Sequence, residues 1–172
     1  HANLIGADSA CSLVGICDID SSRRLVAEEF NVPFYQQVED LLESERPHGA
    51  IIATPNSDHA SVTNICARYS VHVLIEKPIA ESIESARYII ETGEQSGIHV
   101  LVGHHRRYNP LVRTTREIIQ DGKLGKLVAV SMMWALLKPP EYYDEEWRKQ
   151  RPGGGLALIN LIHELDMLRF IC

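Results

Sequence analysis

Short apolar runs and amphipathic stretches alternate along the first hundred residues. Residues 12–17 (SLVGIC) read as a buried strand ending at Asp18, since a short apolar run bounded by turn formers marks a strand covered on both faces. Residues 20–30 follow as a helix, with Asp20 or Ser21 as N-cap. An extended piece at Phe34 and Tyr35 leads into a helix over 38–44. Residues 50–53 (AIIA) form a second strand, stopped by Thr54-Pro55-Asn56. A helix over 58–69, a strand over 71–75 and the tripeptide Glu76-Lys77-Pro78 come next. A helix over 83–95 ends at Gly97, a residue suited to a helix C-terminus, and a strand over 98–102 closes the series. Four β-rich runs separated by helices predict a parallel sheet with right-handed crossovers, a doubly wound α/β domain of Rossmann type.

The pattern then changes. A helix is expected over 111–120, and a longer β run over 127–137 contains Trp134. A polar loop spans 138–155, and a last helix spans 156–171. We divide the chain into a dinucleotide-binding domain over 1–107 and the beginning of a second α/β domain over 108–172. One long strand and two helices cannot close a core, so the second domain is expected to continue. The chain opens without Met and stops inside an apolar helical pattern, as expected of a piece of a longer protein.

Composition narrows the function classes. With 45% hydrophobic and 23% charged residues the chain has globular proportions. The net charge of -6 argues against a general nucleic-acid binder. No apolar run approaches the roughly 20 residues that cross a bilayer, so no membrane partner is expected. Cys11, Cys17, Cys66 and Cys172 are scattered and include no C-x-x-C pair. That pattern indicates free thiols in a reducing compartment and a cytoplasmic location, with neither a zinc site nor a disulfide framework.

The candidate chemistry lies at the carboxyl ends of the predicted strands, where ligands bind in parallel sheets. Asp18 is placed to accept hydrogen bonds from the adenosine ribose hydroxyls, and its charge would repel a 2′-phosphate, favouring NAD over NADP. A turn or N-cap aspartate is the plainer reading. Arg23 and Arg24 lie close enough to soften the preference. Thr54 and Asn56 can donate to a ribose or pyrophosphate, although Pro55 and Asn56 also suit a plain turn. His59 caps or begins the next helix. Glu76 and Lys77 end a buried strand, which is costly unless the charges are paired or solvated in a cleft. Lys77 can hydrogen-bond a substrate hydroxyl and relay a proton; a solvated charged turn is the alternative. Pro78 fixes the chain direction there.

Arg106 and Tyr108, in the run 104–110 (HHRRYNP), fall on the same side of the sheet. This run also reads as a basic interdomain hinge. The His104-His105 pair has no carboxylate at ligand spacing, so no metal site is assigned. His163 has Asn160 three residues before it and Asp166 three after, on one helical face. A histidine so flanked can act as a base near neutral pH, against the commoner structural role.

Taken in order, these residues resemble the Gfo/Idh/MocA family of NAD(P)-dependent oxidoreductases over nearly the whole chain. The resemblance rests on Cys17-Asp18-Ile19-Asp20, Ala53-Thr54-Pro55-Asn56-Ser57-Asp58-His59, Val73-Leu74-Ile75-Glu76-Lys77-Pro78 and the run 102–110 (VGHHRRYNP). Residues 122–125 (GKLG), Trp147-Arg148 and the segment from Gly153-Gly154-Gly155 through His163 and Asp166 complete it. It implies an N-terminal Rossmann domain and a C-terminal domain with a mostly antiparallel sheet that often serves oligomerisation, hence a homo-oligomer. It further implies NAD as cofactor and a sugar, inositol or related polyol as substrate. Lys77 and His163 match the family's catalytic pair and Asp18 its ribose-binding acid. With them, Thr54, Pro55, Asn56, His59, Glu76, Lys77 and Arg106 are expected at the cofactor, and Lys77, Tyr108, Asn160 and His163 at the substrate. The implied reaction passes hydride between the nicotinamide and a secondary alcohol or ketone.

Two departures stand out. Counting back from the Asp18 strand places the glycine-rich G-x-G-x-x-G loop before His1. Ile159 occupies the place where many members carry an aspartate four residues before the histidine. The rival from another class is a non-catalytic NAD-binding regulator or sensor on the same fold. A metal-dependent hydrolase is disfavoured by the lack of ligand spacing.

Overall fold

The computed structural model describes residues 1–144 and 157–172. A helix absent from the sequence reading, α1 (Ala2–Ala7), opens the chain. β1 (Ile16–Cys17) is shorter than the apolar run predicted. A 3₁₀ turn (Ser21–Arg23), capped where the Asp20 carboxylate accepts the Ser22 amide, leads into α2 (Arg24–Glu29). β2 (Phe34–Tyr35), α3 (Val38–Glu45) and β3 (Gly49–Ile52) follow. Then come α4 (His59–Arg68), β4 (His72–Ile75), α5 (Ile83–Ser96) and β5 (Val100–Val102). Ser82 caps α5 through the Ser85 amide, and Gly97 ends it at φ 69°, a left-handed turn glycine adopts without steric cost.

All strand pairing is parallel, as expected of a doubly wound domain. The strands form two sheets rather than one: β1 with β2, and β3-β4-β5 with β4 in the centre. Ala50, Ile52, Val73, Ile75, Val100 and Val102 share one face of the larger sheet by register. α4 and α5 pack together and cover it. Ile52, Cys66, Val73, Ile75 and Ile89 form the centre of the core, with Leu42 of α3 closing it.

The second segment begins with α6 (Pro110–Gln120), whose cap is the Asn109 side chain accepting the Leu111 amide and whose first residue is a proline. The strand expected over 127–137 does not form among the described residues. The reason is physical: a strand needs a neighbour for its amides, and none of the described strands pairs with this stretch. Val128, Met133 and Leu137 are accordingly more than nine-tenths exposed. The last helix also differs from the single helix expected. It opens as a π-helical turn (Ala157–Leu161) and continues as α7 (Ile162–Ile171). Trp147, Arg148 and Gly153 to Gly155 lie outside the described residues.

The contact between α5 and β5 is tight enough to test. A Cβ on Gly93 would stand 2.7 Å from the Val100 Cγ2. Gly93→Ala should therefore destabilise the fold by about 1–2 kcal/mol despite alanine's better helix propensity. Adding Val100→Ala should recover the helix-packing part of that loss. Urea unfolding of the single and double variants measures both, and a neutral Gly93→Ala would show that the two elements are not pressed together.

Candidate functional site

The site is organised around the carboxyl end of β4. This strand is bonded on both edges, and Ile75 at its end is fully buried. The chain direction after it is therefore fixed: Glu76 donates its amide to the Ile52 carbonyl at 2.9 Å. The Lys77–Pro78 bond is cis. Half-buried Lys77 extends its Nζ to the main-chain carbonyl of Ile159, 3.0 Å away, in the π-helical turn before α7. That bond ties the end of β4 to the turn that leads into the helix carrying His163.

Glu76 is enclosed from three sides. One carboxylate oxygen accepts the Lys77 amide at 3.1 Å, and the other lies 2.6 Å from the His1 Nε2. Gly103 faces the same carboxylate, and a Cβ there would stand 3.3 Å from it.

His163 is half-buried, and its ring meets the His105 ring edge to face, with centroids 4.7 Å apart. Its Nδ1 is buried and has no hydrogen-bond partner. Burial pushes the imidazole down to about 4, reinforced by the positive charges of Lys77, His105 and Arg106 and opposed by Glu164. His163 is therefore neutral at physiological pH. The residues expected to flank it turn elsewhere. Asn160 exchanges hydrogen bonds with the Tyr142 hydroxyl at 3.3–3.4 Å. Asp166 accepts the Arg107 Nε at 2.8 Å, pairs also with Arg107 Nη2, and lies 3.5 Å from the His104 Nδ1. Burial raises the Asp166 carboxyl, but the Arg107 hydrogen bonds and the positive neighbours outweigh it and hold it below the ordinary carboxylate value. The expectation that Asp166 supports the His163 base is thus corrected: its oxygens are engaged by Arg107. His104 is pushed below its ordinary value, chiefly by burial, with Asp166 opposing.

The residues expected at the cofactor occupy two places. Asp18 ends β1, half-buried, with Oδ1 accepting the Asp20 amide at 2.9 Å. Thr54 and Pro55 are exposed in the turn after β3, and Asn56 is buried beneath them. His59 is a correction. Its ring is 1% exposed, with Nδ1 3.1 Å from the Ile79 carbonyl and Nε2 3.0 Å from the Thr54 carbonyl. Both nitrogens face protein oxygens, so His59 braces the turn from below rather than meeting a ligand. Arg106 is likewise directed away from the sheet end, onto the buried Glu164 carboxylate of α7. Tyr108 is exposed, with the Arg113 guanidinium over its ring at 5.3 Å. It lines an open cavity of about 630 Å³ with His105, Arg106, Asn109, Val112 and Met167. Sequence reasoning missed Tyr142, Arg107, His105 and Glu164 as members of this neighbourhood. The adjacency of two arginines to two histidines was a signal; the pairing across 58 and 59 residues was not. Among the described residues no group of three His, Cys, Asp or Glu side chains could hold a metal ion. No helix of the described residues is long and apolar enough to cross a membrane.

The donor set fits a dinucleotide. Asp18, the Thr54–Asn56 turn and Glu76-Lys77 all sit at carboxyl ends of parallel strands, the side on which such sheets bind nucleotides. The Asp18 carboxylate keeps one oxygen beyond its turn contact, the chemistry needed for ribose hydroxyls.

Fold and site together define a nucleotide-binding α/β domain joined to a second segment that supplies a histidine. Residues 1–104 match the oxidoreductase family with the NAD-binding Rossmann fold, and residues 112–172 match the GFO/IDH/MocA C-terminal domain. The chain belongs to the Gfo/Idh/MocA oxidoreductase family, and its first 104 residues are the NAD-binding Rossmann domain of that family. It is 32% identical over 136 residues to the 1,5-anhydro-D-fructose reductase of Ensifer adhaerens, covering 78% of this chain and 40% of that protein. It is 33% identical over 115 residues to the inositol 2-dehydrogenase of Rubrobacter xylanophilus, covering 66% of this chain and 33% of that protein. The crystal structure of the WlbA dehydrogenase from Bordetella pertussis, in complex with NADH and UDP-GlcNAcA, superposes with a TM-score of 0.91 at 23% identity. That match covers 99% of this chain and 51% of the other. The chain thus spans about a third to a half of the length of these proteins.

The depressed His163 has a stability consequence. The unfolded imidazole takes its proton near 6.5 and the folded one near 4. Between those values the unfolded state holds more protons, so stability falls as pH drops through that window. Replacing His163 with Asn should flatten the decline of thermal midpoint between those two values. Equal slopes for the two proteins would show that the imidazole is not held neutral.

Proposed function

We propose that this chain supplies the cofactor- and substrate-facing half of a NAD-dependent dehydrogenase or reductase acting on a secondary alcohol or ketone of a sugar, inositol or related cyclic polyol. The observation that carries the reading is the Lys77–Ile159 bond. It brings an ammonium group from the end of β4 to the turn preceding a neutral, half-buried imidazole. The two relatives, a reductase of an anhydro-ketose and an inositol dehydrogenase, support the substrate class.

Asp18 holds the adenosine ribose, and Thr54, Pro55, Asn56 and Glu76 border the rest of the nucleotide. When bound, the nicotinamide takes or gives the hydride. Lys77 donates a hydrogen bond to the reacting substrate oxygen and favours its anionic character. His163, unprotonated at neutral pH, accepts the hydroxyl proton when the alcohol is oxidised and returns it in reduction. The alcohol carbon loses a hydrogen with its electron pair and the oxygen loses a proton, so a ketone results. Tyr108 and Asn160 border the substrate from the second segment. The Asp18 charge selects NAD over NADP, and the protein works as a soluble homo-oligomer in the cytoplasm.

The test uses the complete gene product with NAD and NADP against a panel of polyols and ketoses, followed by nicotinamide absorbance. Turnover should appear with NAD, and Lys77→Ala should lower it by at least about 100-fold with unchanged circular dichroism. NADH binding without turnover of any panel member would favour the regulator or sensor. Undiminished turnover in Lys77→Ala would remove Lys77 from the mechanism.

A further inference from the structure

His163 is bracketed by two ion pairs. Glu164, next to it, is 3% exposed and pairs with Arg106; Asp166, three residues on, is 9% exposed and takes both Nε and Nη2 of Arg107. Both arginines belong to one 3₁₀ turn (His105–Tyr108), and so does the His105 ring that meets His163. Two adjacent residues of one turn therefore grip two carboxylates of one helix, with the two imidazoles in edge contact between them. Such a grip fixes both the rotation and the height of α7 against the turn. A single pair would leave one of these free.

We propose that the Arg106–Glu164 pair balances charge at His163, and that the two-point Arg107–Asp166 pair positions the helix that carries it. This rests on the reading of His163 as the proton acceptor. The groups facing His163 are Lys77 from the end of β4, His105 and Arg106 from the 3₁₀ turn, and Glu164 from its own helix; His104, Arg107 and Asp166 form the next layer. Arg106 and Glu164 act on the imidazole with opposite signs. Their charges balance only while both are present. Arg106 meets Glu164 through one nitrogen, whereas the guanidinium of Arg107 holds both oxygens of Asp166 and so sets where the helix sits.

The balance gives a signed test. In the complete protein, Arg106→Gln removes a positive neighbour and leaves Glu164, so the His163 imidazole should titrate higher by about one pH unit. Adding Glu164→Gln should return it to within about 0.3 unit of wild type, because the two opposing charges are then both gone. Arg107→Lys keeps the charge and loses the two-point hold on Asp166; it should leave the titration in place while kcat falls about tenfold and KM changes less than twofold. Nitrogen-15 NMR of the imidazole reads the titration without any turnover. Should Arg106→Gln not fold, the neutral double variant and Arg107→Lys carry the test through the same two readouts.

An unshifted imidazole in Arg106→Gln, or a double variant shifted as far as the single one, overturns the charge role. Unchanged kcat in Arg107→Lys overturns the positioning role. A wild-type protein without dehydrogenase turnover would instead overturn the proposed function, and the titration would still report on the pair.

Discussion

β4 is the strand with hydrogen-bonded neighbours on both edges, and the chemistry of the molecule hangs from its carboxyl end. Val73 and Ile75 are sealed under α4 and α5, and Ile52 and Val102 hold the last residue in register. A strand fixed in this way cannot slip by one residue without turning its buried face outward. Glu76 and Lys77 thus leave the sheet at a set place and direction, with the His59 brace steadying the facing turn from below. Lys77 then reaches across to the Ile159 carbonyl, made available by a π-helical turn. Such turns are uncommon and are found often at functional sites. The position of His163 therefore depends on the packing of a sheet eighty residues earlier in the chain.

The second segment shows what happens where such mutual support is lacking. Its apolar stretch over 127–137 has the composition of a strand, yet without a partner among the described residues it forms none and is exposed apart from half-buried Trp134. Composition states what a segment can do in a sheet, and pairing decides whether it does. By contrast, α6 and α7 pack on each other and on the 3₁₀ turn between β5 and α6. Arg107 and Arg116 both lie over the Phe170 ring, at 5.6 and 4.2 Å. That cluster lets the helix carrying His163 hold its place without the strand.

The legible parts of the sequence were those set by local rules. The helices over α3 to α6 fall within two residues of the periodicity reading, because caps such as Ser82 and Asn109 and the Gly97 stop are written in the chain itself. The turns at Thr54 and Lys77 follow from strand ends in the same way. What escaped depends on distant partners. The division into two sheets depends on which strands lie side by side. His59 reads as a turn histidine until burial places both nitrogens on carbonyls. Asp166 lies on the expected stripe of its helix, but a helix position does not reveal that Arg107 will claim the carboxylate. Helix α1, six residues with no buried side chain, carries no amphipathic signal by which it could be read.

The electrostatics around His163 look adverse for a base, since burial and three positive neighbours hold it near 4. In the proposed reaction the comparison that matters is between the imidazole and the substrate hydroxyl in the same field. Lys77, which disfavours an imidazolium, also favours an alkoxide, so both acidities move downward together. The proton moves between two groups whose difference is smaller than solution values suggest. The lowered value adds one further property: His163 is unprotonated across the whole neutral range and always ready to accept. A carboxylate at position 159 would have raised the imidazole and stabilised its charged form. Here Ile159 contributes only its carbonyl, to Lys77, and the task of placing negative charge near the histidine passes to Glu164, where Arg106 keeps it in balance.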